Sequence, residues 1–426
     1  MSFISKLLQL LPSYPISNDL LLINVSINEL TEDQLLQRQC YGYYPLIPLA
    51  NHDEDWIETL SQRWNIHPNV LKSNFHKMST LINQSAQKRM YHFSTNAPEE
   101  YVHEHEYKIA LEFYLQIDYD LFYMKTCSYR GAQPVMNQPQ SIFSTDQRNP
   151  YGRYSMETCR QQSCCLCYTS NRLESQSNVQ HIFVNGYRTI LNCPATCTTQ
   201  NIIYVLTCPC KKFDYIGETS LSLPRRLSYH RKHGMRIIKE FLFGKKLTNY
   251  INHGQMKSFE ELVKDGMRLY QHSCRCSVAM QCFLDENPDY WSFIPQRISE
   301  YEQQQQEREI ILVDDHQYEF ASDIPVPSNI NYHFNVQQKR NIEEFFQQKK
   351  KNLHPLNPHF HLHEAKIIAV LPENASIGLR RFIESLFITH AQTKLNTLGH
   401  LDDENSLTHM ECTDELCYEN LVRPMT

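Results

Sequence analysis

The chain combines segments of helical periodicity with short runs that are apolar and β-branched. In the first 130 residues, apolar positions recur every three or four residues in EDQLLQRQ and EEYVHEHEYKIALEFYLQI, which predicts amphipathic helices. The runs IIYVLTC and FDYIG, joined by PCKK, predict a β-hairpin. A helix is predicted in SLPRRLSYHRKH, with Ser222 as its cap and Pro224 in its first turn. Near the C-terminus, EAKIIAVLPENASIGLRRFIESLFITHAQTKLN predicts a strand, a turn and a helix.

Changes in composition divide the 426 residues into successive segments. A stretch rich in Gln, Asn, Pro and Ser predicts a linker, and a long irregular stretch predicts an insertion. The predicted architecture is therefore α+β, with a small sheet and flanking helices. Its segments are a mainly helical domain at 1–130, the linker at 131–155, a Cys-rich module at 156–198, a core at 199–400 with the insertion at 236–353, and an acidic tail at 401–426.

The composition is that of a folded protein, with 41% hydrophobic and 21% charged residues. The first 22 residues have neither the apolar region nor the cleavage site of a secretory signal peptide. No apolar run reaches the length of about 18 residues that a membrane span needs. We therefore expect no membrane association and an intracellular location, nuclear or cytoplasmic. In a reducing compartment the 15 cysteines favour metal sites over disulfides.

The net charge of −6 conceals a basic region. Residues 1–150 contain 11 Lys and Arg against 16 Asp and Glu, whereas residues 201–250 contain 10 against 3. A local positive field of this kind suits a phosphate backbone. A solvated helix face explains the same charges.

The predicted hairpin and helix bring several polar side chains together. A turn centred on Pro209 and Cys210 places Tyr204 directly opposite Tyr215, so both phenols address one face. In the following helix Arg226 and His230 are four residues apart and share a face. Two hydroxyls, a guanidinium and an imidazole then form a small basic surface.

This run resembles the GIY-YIG nuclease family, particularly the branch carried by Penelope-like retroelements. The resemblance is carried by IIY, by the spacing to YIG, and by Y-I-G-E-T-x3-L-x2-R-x3-H, which includes Leu223, Arg226 and His230. It covers about residues 156–235 and 353–400. Two features depart from the family: Ile202 replaces the first glycine of the family's name, and the insertion separates His230 from the strand near Lys366.

The resemblance implies a carboxylate on a later helix that holds a divalent metal. Glu384 in RRFIESLFITH is the preferred residue, because the strand KIIAVLP precedes it and KLN, with Asn396, follows it. Glu307 in EREII is the alternative. Glu384 also fits a purely structural ion pair with Arg380, one helical turn earlier.

The implied activity is hydrolysis of phosphodiester bonds in DNA, with Mg²⁺ or Mn²⁺ on Glu384. In that mechanism Tyr204 is the general base, Tyr215 orients water or phosphate, Arg226 clamps phosphate oxygens, and His230 shares in proton transfer or phosphate contact. The reference pKa of tyrosine is about 10, so the metal or Arg226 must lower that of Tyr204. The implied substrate-binding residues are Gly217, Thr219, Arg225 and Asn396.

The Cys-rich module carries a second prediction. Cys164 and Cys167 have the spacing of a zinc half-site, and the Penelope-like group has a similar cluster before its core. Structural zinc is therefore predicted on Cys159, Cys164, Cys167 and a later cysteine. The spacing leaves that fourth ligand open, and Cys193 is the first candidate, before Cys197, Cys208 and Cys210. Reduced thiols without metal are the alternative.

Two further groups are weaker candidates for metal sites. One is the cluster of four histidines in LHPLNPHFHLH, which also fits ordinary surface positions: His354, His359, His361 and His363. The other is the loop with Cys274, Cys276 and Cys282.

The sequence thus favours a metal-dependent DNA endonuclease that needs no small-molecule cofactor. Two alternatives remain: a nucleic-acid-binding protein of the same fold that has lost cleavage, and a zinc-stabilised interaction module in which the tyrosines are core residues. The sequence does not specify an oligomeric state.

Overall fold

A computed structural model describes most of the chain from residue 56 to residue 423. The described residues are 56–64, 68–93, 101–117, 154–159, 164–168, 180–251, 254–297, 318–327, 332–349, 360–401, 416 and 418–423. They form two compact units. Unit 1 comprises residues up to Thr207, Lys211–Arg226 and Ala365–Thr408, and unit 2 comprises Cys208–Cys210, Leu227–Glu364 and the residues from His409.

The centre of unit 1 is a three-stranded sheet. Its strands are β5 (Ile202–Thr207), β6 (Asp214–Thr219) and β9 (Glu364–Val370), in the order β6-β5-β9. β5 and β6 form the antiparallel hairpin that the sequence predicts. Five of the six β5 side chains are buried, as the continuous apolar run requires.

Helix α10 (Ile377–Ala391) follows β9 and packs on this sheet. It begins after Ser376, whose hydroxyl accepts a hydrogen bond from the Leu379 N–H at 3.0 Å. It ends at Gln392, which has the left-handed conformation of a C-cap. The strand, turn and helix predicted around Glu384 are therefore present.

Three N-terminal helices belong to the same unit: α1 (Trp56–Trp64), α2 (Pro68–Phe93) and α3 (Tyr107–Ile117). Their apolar faces and those of the sheet and α10 form one hydrophobic core, with Leu71 of α2, Ile109 of α3, Ile203 of β5, Ile216 of β6 and Leu379 of α10. Burying each such side chain contributes roughly 2 kcal/mol.

This shared core corrects the predicted domain boundary. The sequence placed a separate helical domain at 1–130 and a linker at 131–155, but the described N-terminal helices lie in one unit with the core. Composition marks a polar segment between elements, and it carries no information on which apolar faces meet across that segment.

Two small sheets also lie in the described part of unit 1. β1 (Met156–Glu157) pairs in parallel with β4 (Ala195–Thr196), and β2 (Gln180–Ile182) pairs antiparallel with β3 (Arg188–Ile190). A four-residue helix, α4 (Cys165–Tyr168), lies between β1 and β2 in the chain. These elements bring four cysteines of the predicted module together.

Unit 2 is mainly helical and covers most of the segment predicted as an insertion. Helix α5 (Leu223–Ile251) begins in unit 1, and its residues from Leu227 belong to unit 2. The other α-helices and strands that the structure describes in unit 2 are α6 (Phe259–Asp265), α7 (Arg268–Arg275), α8 (Ser277–Glu286), α9 (Val336–Lys349) and the short strands β7 (Gln296–Arg297) and β8 (Tyr332–His333). Its core is an aromatic cluster around Phe243, Tyr290, Phe293, Phe345 and Phe346.

The α+β class predicted from the sequence is confirmed. Glu307, His354 and His359, the linker except for its last two residues, and most of the acidic tail lie outside the described residues.

Candidate active site and metal centres

The hairpin places Tyr204 against Gly217. Tyr204 is fully buried and lies opposite Gly217 in the β5–β6 register. A Cβ at position 217 would lie 2.4 Å from the Tyr204 hydroxyl oxygen and 2.5 Å from Cζ, so only glycine fits beneath this ring. Gly217, predicted to bind substrate, thus makes room for Tyr204.

The two tyrosines are not directly opposite each other, and this register prediction was wrong. Tyr215 pairs with Leu206, two residues along the strand from Tyr204. The connection between the strands is longer than a turn centred on Pro209 and Cys210, since it runs from Cys208 to Phe213. A shift of two residues keeps the side chains on the same face, so the tyrosines are diagonal neighbours.

Arg226 contacts Tyr204 directly. Its Nε donates a hydrogen bond to the Tyr204 hydroxyl oxygen at 3.0 Å. The negative charge of the Tyr204 phenolate is the largest influence raising the pKa of Arg226, and Tyr215 and Glu218 raise it further. Arg226 is therefore a permanent cation beside the phenol.

Burial and charge affect the Tyr204 hydroxyl in opposite directions. Its pKa is raised to about 12, chiefly because burial disfavours the phenolate. The Arg226 charge lowers that pKa, and Glu384 and Glu218 raise it. With Arg226 alone, Tyr204 stays protonated at neutral pH, so a base role requires a further cation near its oxygen.

Glu384 projects from α10 and is buried. Its Oε2 lies 3.4 Å from Nη2 of Arg89, on α2. Burial is the main cause of the raised pKa of Glu384, which Arg89 opposes and Glu218 reinforces. A buried carboxylate of this kind needs a compensating cation.

The structural alternative for Glu384, an ion pair with Arg380, is not the arrangement observed. Arg380 Nε donates to Glu218 Oε2 at 2.9 Å, and Arg380 Nη1 donates to the Ala375 carbonyl at 2.6 Å. Arg380 thus joins the start of α10 to the Glu of Y-I-G-E-T. The resemblance gives Glu218 no role, although its place between Gly217 and Thr219 in Y-I-G-E-T is a usable signal in the sequence.

Asn396 holds strand β6. Its Nδ2 donates to the Ile216 carbonyl at 2.8 Å, and its Oδ1 accepts from the Ile216 N–H at 2.9 Å and from the Thr393 hydroxyl at 2.8 Å. The side chain is buried and holds the backbone of β6, and its predicted contact with substrate stays a prediction from the sequence. Asn396 pairs with the open edge of β6 as a neighbouring strand would.

The other two predicted substrate-binding residues differ in exposure. Thr219 is buried at the end of β6, and its hydroxyl accepts a hydrogen bond from the Leu221 N–H at 3.0 Å, which shapes the turn into α5. Arg225 is exposed in the first turn of α5. Of the two, only Arg225 offers a side chain to a partner in solution.

His230 lies on α5 in the part assigned to unit 2. It is buried, and its Nδ1 is 2.9 Å from the Tyr270 hydroxyl oxygen on α7. Its predicted role in proton transfer or phosphate contact stays a prediction from the sequence.

Four cysteines of unit 1 form a group that could hold a metal ion: Cys159, Cys164, Cys167 and Cys197. The Sγ of Cys167 lies 3.7 Å from that of Cys159 and 3.2 Å from that of Cys197. Zinc with four thiolates at 2.3 Å gives sulfur separations of about 3.8 Å, so the set suits tetrahedral zinc. All four are free thiols, as are the other cysteines whose side chains the structure describes.

Cys197 takes the place predicted for Cys193. The parallel register aligns Met156 with Ala195, so Cys159 and Cys197 follow the same ends of two paired strands. Cys193 precedes β4, is fully buried, and is not in the group. Spacing alone cannot reveal this choice, because the pairing of β1 with β4 is long-range.

Unit 2 contains a second such group, made of Cys208, Cys210, His272 and Cys276. His272 Nε2 lies 3.2 Å from the Cys208 Sγ and 3.6 Å from the Cys210 Sγ, and the Cys208 and Cys276 sulfurs are 3.9 Å apart. Three sulfurs and one imidazole are a standard zinc set. The loop predicted from Cys274, Cys276 and Cys282 contributes only Cys276.

The pKa values of two thiols in this second group are shifted in opposite directions. The pKa of Cys276 is lowered to about 3, chiefly because the Cys208 thiol donates to it, and His272 and a backbone N–H at the start of α8 add to the effect. The pKa of Cys208 is raised because it is that donor. A bound cation would stabilise all the thiolates together.

His361 and His363, from the predicted histidine cluster, are absent from both groups. His363 Nε2 instead lies 3.2 Å from the Ser273 hydroxyl on α7. Burial lowers the pKa of His363 to about 4, so it is neutral at pH 7. Among the described residues, the histidine that joins a metal-binding group is His272, whose signal in the sequence was only its spacing from Cys276.

Unit 1 thus contains the buried phenol of Tyr204, the Arg226 cation beside it, and two carboxylates that are each paired with an arginine. It also contains a four-cysteine group. Comparison with protein-family models, curated proteins and solved structures finds no match for this chain. In the part of the chain that the structure describes, no helix has both the length and the apolar character to cross a membrane.

Proposed function

We propose that this protein is a metal-dependent DNA endonuclease that hydrolyses phosphodiester bonds in the manner of the GIY-YIG family. The observation that supports this most is the 3.0 Å hydrogen bond from Arg226 to Tyr204. Glu384 belongs to the same unit, and its charge raises the pKa of Tyr204. A nucleophile-activating phenol, a phosphate-binding guanidinium and a metal-binding carboxylate are the groups that this chemistry requires.

Each residue has a defined task in this proposal. Arg226 stabilises the Tyr204 phenolate and binds a non-bridging phosphate oxygen, using the donors that Tyr204 does not occupy. Tyr204 accepts the proton of the attacking water. Tyr215, on the same face of the hairpin, orients that water or the phosphate. Exposed Arg225 contacts the DNA backbone.

Mg²⁺ or Mn²⁺ would be held by Glu384. Mg²⁺ in nucleases is commonly bound by one or two carboxylates together with water and substrate phosphate, so one glutamate is compatible with it. The metal would supply charge to lower the pKa of Tyr204 and to stabilise the leaving oxygen. Arg89 has to release Glu384 for this to occur, whereas Arg380 keeps Glu218 engaged.

The partner proposed is DNA, bound through the basic segment at residues 201–250. The activity places the protein with DNA, in the nucleus or in the cytoplasm. Structural zinc is proposed in both Cys-containing groups, where it would stabilise each unit without taking part in hydrolysis.

A second candidate function is DNA binding without cleavage. The Arg89–Glu384 ion pair favours it, because a metal ligand neutralised by arginine describes a site that has lost its metal. The basic segment serves this function equally well. The two candidates differ only in whether folded protein cleaves DNA.

The test is nicking of supercoiled plasmid by full-length, zinc-loaded protein with Mg²⁺. We expect nicking that depends on the metal and that Arg226→Ala and Glu384→Gln each reduce at least about 100-fold. Matched controls are Arg340→Ala on α9 and Glu373→Gln before α10, both exposed. Protein that binds DNA with a steep salt dependence but does not nick it would establish the second candidate.

A further inference from the structure

The carboxylate proposed to bind the metal is contacted by an arginine from the N-terminal helices. Arg89 Nη2 lies 3.4 Å from Glu384 Oε2 and donates to the Ser385 hydroxyl at 2.9 Å and to the Arg381 carbonyl at 3.2 Å. All three partners lie on α10. The guanidinium is therefore attached to the helix that carries Glu384.

The contact between Arg89 and Glu384 is longer than a usual charge-assisted hydrogen bond. A charge-assisted hydrogen bond is usually about 2.8 Å long and is often bidentate, whereas this pair has one contact of 3.4 Å. The Arg89 Nε is buried and makes no hydrogen bond to the described residues. The guanidinium thus compensates the charge of Glu384, but its hydrogen bonds to α10 are made to Ser385 and the Arg381 carbonyl more closely than to the carboxylate.

The backbone of the N-terminal segment is fixed on α10. Glu106, before α3, accepts hydrogen bonds from the N–H and the hydroxyl of Ser376 at the start of α10. At Gly378, a Cβ would lie 2.1 Å from the carbonyl carbon of Tyr101. Because α2 and α3 also share the core with α10, Arg89 can leave Glu384 by rotating its side chain while the helices stay in place.

A guanidinium and a divalent cation cannot both lie against one buried carboxylate at little cost. Like charges a few Å apart in a protein interior repel more strongly than they do in water. The carboxylate is buried, so its ionised form needs one of the two cations beside it. The two states are then Arg89 within 3.4 Å of Glu384, as observed, or the metal on Glu384 with the Arg89 guanidinium rotated away from the carboxylate.

We propose that Arg89 is the resident counter-cation of Glu384 and competes with the divalent metal for it, so that helix α2 sets the metal affinity of the nuclease site. This rests on the proposed function, in which Glu384 holds the metal. The N-terminal helices then determine how much metal, or metal and DNA together, is needed to activate the site.

The test measures binding of Mn²⁺ to full-length protein with its zinc sites filled, using electron paramagnetic resonance of free Mn²⁺. Arg89→Met should bind Mn²⁺ at least about ten-fold more tightly than the unsubstituted protein, the lower end of the effects seen when groups beside a metal ligand change. Lys72→Met removes a positive charge from an exposed position on the same helix and should change nothing. Arg89→Gln replaces Arg89→Met if thermal unfolding shows that the methionine variant is not folded.

The outcomes separate this inference from the proposed function. Unchanged or weaker Mn²⁺ binding in Arg89→Met would overturn it, since weaker binding would make Arg89 a residue that orients Glu384. Glu384→Gln reports on the function itself. If that variant binds Mn²⁺ as well as the unsubstituted protein, Glu384 is no metal ligand and both proposals fall; if it loses binding while Arg89→Met is unchanged, only the competition is excluded.

Discussion

Gly217 lies beneath the ring of Tyr204, at a distance that leaves no room for a Cβ atom. The glycine of Y-I-G therefore has a steric role, since it allows a fully buried phenol to cross the neighbouring strand and reach Arg226. The position of the Tyr204 hydroxyl depends on a residue that takes no part in chemistry.

Gly217→Ala should displace Tyr204 and break its hydrogen bond with Arg226. We expect a loss of about 1–3 kcal/mol in the free energy of unfolding, as overpacking typically produces, together with a large loss of nicking. Urea unfolding and plasmid nicking measure the two effects. Gly266→Ala is the control, because a Cβ there makes ordinary contacts at 3.6 Å. Full nicking by Gly217→Ala would show that the Tyr204 position is not critical.

Asn396→Ala should destabilise unit 1 by about 1–3 kcal/mol, because both backbone groups of Ile216 would lose a buried partner. Asn396→Asp should be at least as destabilising, since its carboxylate still accepts from the Ile216 N–H but places a buried, charged oxygen against the Ile216 carbonyl oxygen. Denaturant unfolding compares both with Asn374→Ala, an exposed position. Equal stability of all three variants would refute the strand-holding role.

Zinc content should distinguish Cys197 from Cys193. Elemental analysis of purified protein should give two zinc ions per chain, one for each group. Cys197→Ser should lose one of them and Cys193→Ser should keep both, because only Cys197 lies with Cys159, Cys164 and Cys167. The opposite result would return the fourth ligand to Cys193.

Zinc in unit 2 should depend on His272. His272→Ala removes the imidazole between Cys208 and Cys210 and should abolish one zinc ion, lowering the melting temperature. Cys282→Ala, outside the group, should retain both ions. If His272→Ala still contains two zinc ions, the three cysteines bind the metal without His272, and His272 is not a required ligand.

As pH falls, metal binding at Glu384 should weaken at a higher pH than it would for a glutamate with an ordinary pKa. Burial raises the pKa of Glu384, and only its ionised form binds metal, so affinity is lost as pH falls through this raised pKa. The loss of Mn²⁺ affinity should therefore begin clearly above the ordinary glutamate pKa of about 4.3. Below the raised pKa, the affinity should fall about ten-fold per pH unit. The measurement is Mn²⁺ affinity against pH, taken as the difference between the unsubstituted protein and Glu384→Gln. A midpoint at the usual value would contradict the effect of burial.

Local pattern was sufficient for the elements that carry the candidate site. The β-branched runs predicted β5 and β6, and the apolar run followed by a turn and a periodic segment predicted β9 and α10 with Glu384. Arg226 lies one helical turn after Ser222, as the cap predicted, and its backbone N–H donates to the Ser222 carbonyl at 3.0 Å. Strand and helix periods are properties of neighbouring residues, so one sequence is enough to recognise them.

The sequence by itself determined which residue types are available and on which local elements they lie, including the two tyrosines, Arg226, Glu384 and the Cys164–Cys167 half-site. The tertiary structure alone decided the partners: the hairpin register, Cys197 in place of Cys193, His272 with Cys208, and Arg89 with Glu384, 295 residues apart in the chain. These pairings arise when apolar faces of distant elements bury each other, and several arrangements satisfy the same local periodicity. The identity of a side chain's neighbour is therefore set by the packing of the whole unit.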